Sequence, residues 1–311
     1  MNMLNNSCFK PVFGWPNIPH PMSFKEATSV AVDSNDYVYV FNRGSWPLMI
    51  FDRDGSYIDT WGAGQFDRAH AIRIDSDDNL YMVDDVGHMV EKRKTDGTLL
   101  FRIGQKGQAA RWQEGEPFNQ PTDIAIHPVT GELFVSDGYG NSRVHKFDPD
   151  GKHIKSWGKP GSLPGEFSLP HNLCFMGNDL LVVCDRENFR LQVFSLDGEF
   201  VKQIHTHHPI AICAGVDDVN LYVAEAGPPP VQEGVRGLGR KIIVFDHEFN
   251  VITHFGNEYG GEGLDQFLAP HGMAIDSSGS VYIAEVSYTA YGSHLNPPRE
   301  VVSLRKWVAS N

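Results

Sequence analysis

The chain has 311 residues, 41% of them apolar, and no apolar run approaches the ~20 residues of a membrane span. Its 26 lysines and arginines face 39 aspartates and glutamates, a net charge of −13 that argues against nucleic acid or an anionic membrane as partner. Four cysteines, Cys8, Cys174, Cys184 and Cys213, lack metal-type spacing and read as free thiols rather than a Cys174–Cys184 bridge, and with no leader-like N-terminus the expected compartment is the cytoplasm.

A repeat organises the chain. The first copy runs TSVAVDSNDYVYVFNRG and then LMIFDRDGSYIDTWG; the second is HAIRIDSDDNLYMVDD and then MVEKRKTDGTLLFRIG. PTDIAIHP, GELFVSDG, NSRVHKFDPDG and KHIKSWG make the third. HNLCFMGNDLLVVCDREN opens the fourth, IAICAGVDDVNLYVAEAG the fifth and HGMAIDSSGSVYIAEV the sixth. Each holds period-2 strands, here lettered a to d, joined by Asn/Asp/Gly turns, which is a four-stranded antiparallel meander. Six such units predict an all-β, six-bladed β-propeller in a single domain, with about 47 residues per blade between Ala27 and Ser310. The expected blades are 27–66, 69–107, 121–167, 170–207, 209–267 and 270–310. The sixth lacks its last strand, and KPVFGW at 10–15 resembles a strand-d ending, so it is expected to close the ring.

Strand direction places the starts of strands a and the b–c turns at one end of the ring. Aligned, those starts read ATSV, AHAI, PTDI, PHNL, PIAI and PHGM, so His70, His171 and His271 share one register in alternate blades. They are 101 and 100 residues apart, two blades each time. Blades 120° apart converge their imidazoles on the axis, which suits zinc with an open fourth position. The b–c turns on that face carry Arg43, Tyr139 and Arg186. A nearby cation or metal favours the tyrosine phenolate, and arginine offers a planar fork for a carboxylate.

SDGYGNSR, GEFSLPH, DRENFRLQVF and the PHG segment together resemble the core of the peptidyl-α-hydroxyglycine α-amidating lyase family, most densely from Phe118 to Phe194. The resemblance implies a propeller of NHL-type repeats that cleaves an N-acyl-α-hydroxyglycine, a carbinolamide, to an amide and glyoxylate. It implies zinc on His70, His171 and His271, Tyr139 as base for the α-hydroxyl proton, Arg43 stabilising its phenolate, and Arg186 holding the developing oxo acid. The family also implies calcium, but Gly272 stands where it has an aspartate after the third histidine. Ala269 replaces a substrate-side methionine, and Gly140 a disulfide cysteine. The chain therefore reads as a divergent, cytoplasmic relative acting on a small or peptide-like α-hydroxylated amide.

Two insertions lie in b–c turns of the histidine face: AGPPPVQEGVRGLGR in blade five and VSYTAYGSHLNPPRE in blade six. They are expected to narrow the pocket, with Arg236, Tyr288, Tyr291 and His294 as contacts and His207 and His208 at the rim. Zinc-assisted hydrolysis at the same site, and a non-catalytic NHL-type interaction platform, stand as alternatives.

Overall fold

The computed structural model describes residues 9–216, 220–228, 230–232, 234, 235 and 237–310. Its strands form six antiparallel four-stranded sheets. Blade one is β2 (Ala27–Val32), β3 (Val38–Asn42), β4 (Leu48–Phe51) and β5 (Tyr57–Trp61). Blade two is β6 (Ala69–Ile74), β7 (Leu80–Asp84), β8 (Met89–Arg93) and β9 (Leu99–Gly104). Blade three is β10 (Asp123–Ile126), β11 (Leu133–Asp137), β12 (Arg143–Phe147) and β13 (His153–Trp157). Blade four is β14 (Pro170–Met176), β15 (Leu180–Asp185), β16 (Arg190–Ser195) and β17 (Phe200–His205). Blade five is β18 (Pro209–Ala214), β19 (Leu221–Glu225), β20 (Lys241–Phe245) and β21 (Val251–Phe255). In blade six, β22 (Pro270–Ile275), β23 (Val281–Glu285) and β24 (Leu304–Ala309) are completed by β1 (Phe9–Pro11). A short helix, α1 (Ser287–Ala290), lies between β23 and β24.

The closing strand forms as expected, but earlier than 10–15: Phe9 pairs with Ala309 and Pro11 with Trp307. After Pro11 the chain leaves the ladder. Trp15 packs on Tyr282 with ring centroids 4.8 Å apart, and its Nε1 donates to Arg53 O at 3.1 Å. Trp15 thus wedges blade six against blade one rather than extending the sheet. The cores lie between neighbouring sheets, as in the cluster that joins Ile210, Ile242 and Phe255 of blade five to Phe9, Met273 and Trp307 of blade six. No described helix is long and apolar enough to cross a membrane. Cys174, Cys184 and Cys213 form no disulfide with one another; Cys8 lies outside the described residues.

Two devices aim the strand starts. A register shift interrupts the a–b pairing between Ala69 and Ala71, Pro170 and Leu173, and Pro270 and Gly272. Each shift falls on a histidine, and such a bulge re-aims the side chain at that point. The second device is a buried acid at the end of strand b in blades two to six. The Asp84 carboxylate accepts from the amides of Asp67 and Arg68, and Glu285 from those of Leu268 and Ala269. Asp137, Asp185 and Glu225 take the amides of Asn119, Ser168 and His207 in the same way. The segment leading into each of these inner strands is therefore pinned just before the residue that faces the axis.

Candidate metal centre

His70, His171 and His271 converge at the axis, all buried, with ligand atoms within 4.8 Å of one another. Their ring centroids are 4.7–5.1 Å apart. Each Nδ1 is committed to a backbone carbonyl of the following blade. His70 donates to Thr122 O at 2.6 Å, His171 to Ile210 O at 2.7 Å and His271 to Thr28 O at 2.8 Å. Thr28 and Ile210 themselves sit at register shifts, which free their carbonyls from the ladder. A proton fixed on Nδ1 leaves the lone pair of each ring on Nε2. Ligating histidines are oriented by this kind of carbonyl contact, so the donor set fits a metal ion. Burial first, then the neighbouring imidazoles and Arg43 or Arg186, hold all three well below the ordinary histidine range. They are neutral, as ligands must be.

The Tyr139 hydroxyl sits 3.0 Å from His70 Nε2 and 3.3 Å from His171 Nε2. Its turn runs close to other backbone: a Cβ on Gly138 would collide with Pro170 O and one on Gly140 with Asn119. A cysteine at Gly140 would require Asn119 to move. Two guanidiniums flank the Tyr139 ring, Arg68 at 5.8 Å and Arg186 at 6.0 Å from its centroid. The expected lowering of the tyrosine by cations is only part of the balance. Burial is the largest influence and leaves the hydroxyl above its ordinary value, while Arg186, Arg43 and Arg68 oppose it.

Arg43 donates from Nη1 to Glu26 at 2.8 Å and from Nε to Ala69 O at 3.1 Å. Arg186 donates to Glu187 at 2.8 Å, and Glu187 also meets His208 Nε2 at 3.2 Å. Those contacts, His208 foremost, bring the Glu187 carboxyl down to about 2. His208 thus reaches the site through Glu187, whereas the His207 ring packs on Phe189 at 5.4 Å. Ala269 lies half-buried on the lead-in to His271, its carbonyl accepting from Val286 N at 3.0 Å. Tyr288 meets Lys25, whose Nζ is 5.3 Å from the ring centroid. Tyr291 and His294 are exposed, with no hydrogen bond from either ring to the histidines, and Arg236 lies outside the described residues.

Arg68, clamped bidentately by Asp85, escaped the sequence reading. A signal existed: Arg68 precedes His70 by two residues, as Ala269 precedes His271. A cavity of about 280 Å³ between blades one and two is lined by Lys25, Arg43, Phe66, Arg68 and Ala69, and by none of the three histidines. Another, of about 290 Å³, opens at the opposite mouth of the channel around Ile74, Ile126, Phe175 and Ile275, away from the imidazoles.

The residues present do not fit calcium. Gly272 offers no carboxylate, and a Cβ there would lie 2.6 Å from Ser29 Cα. The channel already holds a cation: Arg73 donates to both Asp123 oxygens at 3.0 and 2.5 Å, to Met273 O at 3.3 Å and to Ile212 O at 3.5 Å.

The NHL repeat matches residues 118–147 and 167–194. The chain is 36% identical over 304 residues to the peptidyl-glycine alpha-amidating monooxygenase of Mus musculus, covering 84% of this chain and 29% of that protein. It is 28% identical to peptidyl-alpha-hydroxyglycine alpha-amidating lyase 2 of Drosophila melanogaster, covering 88% of this chain and 71% of that protein. The chain spans about a third of the monooxygenase relatives, 29–34% of their length. Virginiamycin B lyase from Staphylococcus aureus shares the fold, with a TM-score of 0.59 at 14% identity over 90% of this chain and 82% of that one.

Proposed function

We propose that the chain is a peptidyl-α-hydroxyglycine α-amidating lyase-type enzyme that cleaves the C–N bond of an N-acyl-α-hydroxyglycine-like carbinolamide, giving an amide and glyoxylate or a related oxo acid. Relatives named as amidating lyases support lyase-type chemistry. The observation that carries the finer reading is the Tyr139 hydroxyl set at the edge of three buried imidazoles, between two arginines.

His70, His171 and His271 would hold zinc through Nε2. When bound, zinc supplies a Lewis acid that polarises the substrate hydroxyl and carboxylate, and a positive charge that favours the Tyr139 phenolate. The reaction consumes no water. As the hydroxyl loses its proton its O–H electrons become the new C=O bond, and the C–N electrons leave on nitrogen, which is protonated. Tyr139 takes the hydroxyl proton and is placed to return it to the leaving nitrogen. Arg43, held by Glu26, stabilises the phenolate, and Arg186 pairs with the carboxylate that becomes the oxo acid. The cavity beside Arg43 and Arg68 admits a small or peptide-like acyl group. A hydrolase needs a base directed at water, and an interaction platform has no use for three imidazoles with fixed tautomers, so the lyase reading is preferred. Cytoplasmic location belongs to the same proposal.

Elemental analysis with turnover tests it. His70→Ala should lose zinc and activity together, while Tyr139→Phe keeps zinc and loses turnover by at least a hundredfold. Retained turnover in Tyr139→Phe removes the proposed base.

A further inference from the structure

We infer that Glu26 is a positioning residue that couples docking of the blade-six insertion to the orientation of Arg43. The inference rests on the reading of Arg43 as an active-site residue. Glu26 is only 1% exposed and lies just before β2, in blade one. Its carboxylate has three partners. Oε1 accepts from Arg43 Nη1 at 2.8 Å and from Thr289 Oγ1 at 2.7 Å, and Oε2 accepts from Thr289 N at 2.6 Å. Thr289 belongs to α1, in the insertion between β23 and β24, so this contact spans 263 residues and crosses the seam where the ring closes. Lys25 strengthens the clasp by setting its ammonium over Tyr288. Two successive residues of blade one thus grip two successive residues of α1.

A buried carboxylate must have its charge and lone pairs met, and members of such a network do not act independently. Arg43 and α1 share one oxygen, so the position of each constrains the other. With α1 docked, the carboxylate is fixed and Arg43 is held by Glu26 on one side and Ala69 O on the other. With α1 lifted, Glu26 loses two of its three donors and the guanidinium loses its fixed anchor. The seated insertion and the aligned arginine therefore occur together. Misplacing a catalytic group by about an ångström costs as much as a hundredfold in rate, so the coupling should be read in kcat rather than in KM.

The test uses the zinc-loaded chain with α-hydroxyhippurate as substrate and chymotrypsin as a probe of the insertion, which offers Tyr288 and Tyr291. Thr289→Val should lower kcat about threefold or more with KM and zinc content unchanged, and Thr289→Ser should restore it. Glu26→Gln should lower kcat further, and adding Thr289→Val to it should cost nothing more. Independent of any turnover, Arg43→Met should speed nicking between residues 286 and 300 several-fold, whereas Arg186→Met, an equal loss of charge outside the network, should not. If the wild type fails to turn over, the lyase reading fails and the nicking comparison alone decides the coupling. The inference is overturned if Thr289→Val leaves kcat unchanged in an active enzyme, or if Arg43→Met nicks no faster than Arg186→Met.

Discussion

The three axial imidazoles are neutral because burial and mutual repulsion hold them below the ordinary histidine value. The unfolded chain takes up protons as pH falls through about 6.5, while the folded one resists, so protonation favours the unfolded state. The metal-free chain should therefore lose thermal stability as pH drops from 7.5 toward 5.5. Replacing all three histidines by glutamine should flatten that slope, and an equal slope would show that they are not held neutral. The histidines were legible in the sequence because a repeat fixes their register, and Tyr139, Arg43 and Arg186 because the turns share a face. Glu26 and Arg68 were not. Their importance comes from partners that only folding brings together: Thr289, across the ring closure, for Glu26, and Asp85 of the same blade with the Tyr139 ring of the next for Arg68.

Strands a do more than line the channel. Their register shifts turn alternate histidines inward and free the carbonyls of Thr28 and Ile210 that orient two of them. Period-2 alternation reveals that a strand exists, but a bulge is an interruption of alternation one residue long, and hydropathy does not register it. The acid ending strand b was visible as a recurring letter, and its task only in the structure. In blade six, Glu285 is fully buried, accepts two lead-in amides and pairs with Arg305 at 2.7 Å. Glu285→Ala takes the counter-charge from a buried guanidinium, which keeps only carbonyl acceptors at Gly261, Gly263 and Leu264, and leaves two amides without their acceptor, so it should cost about 3–5 kcal/mol in chemical denaturation. It should also weaken zinc retention, because His271 follows that lead-in directly. A loss within about 0.5 kcal/mol would show that the pin is dispensable.

At the scale of the molecule, blade count and the borrowed strand follow from the repeat, as does the alternate-blade geometry of the histidines. The early end of the closing strand does not, since KPVFGW looks like a strand throughout and only the packing of Trp15 on Tyr282 draws it out of the sheet. Closure rests on Phe9, stacked on Phe255 at 4.6 Å. Phe9→Ala should destabilise the ring by about 3 kcal/mol, measured by denaturant titration. Arg73 gives the channel an internal cation, so added calcium should leave the melting temperature unchanged, and a clear rise would contradict the reading of that site. The proposed reaction breaks a C–N bond without water. The decisive measurement is the product stoichiometry of the zinc-loaded chain with α-hydroxyhippurate: benzamide and glyoxylate in equal amounts is the predicted result, and benzoate, or no glyoxylate at all, would contradict it.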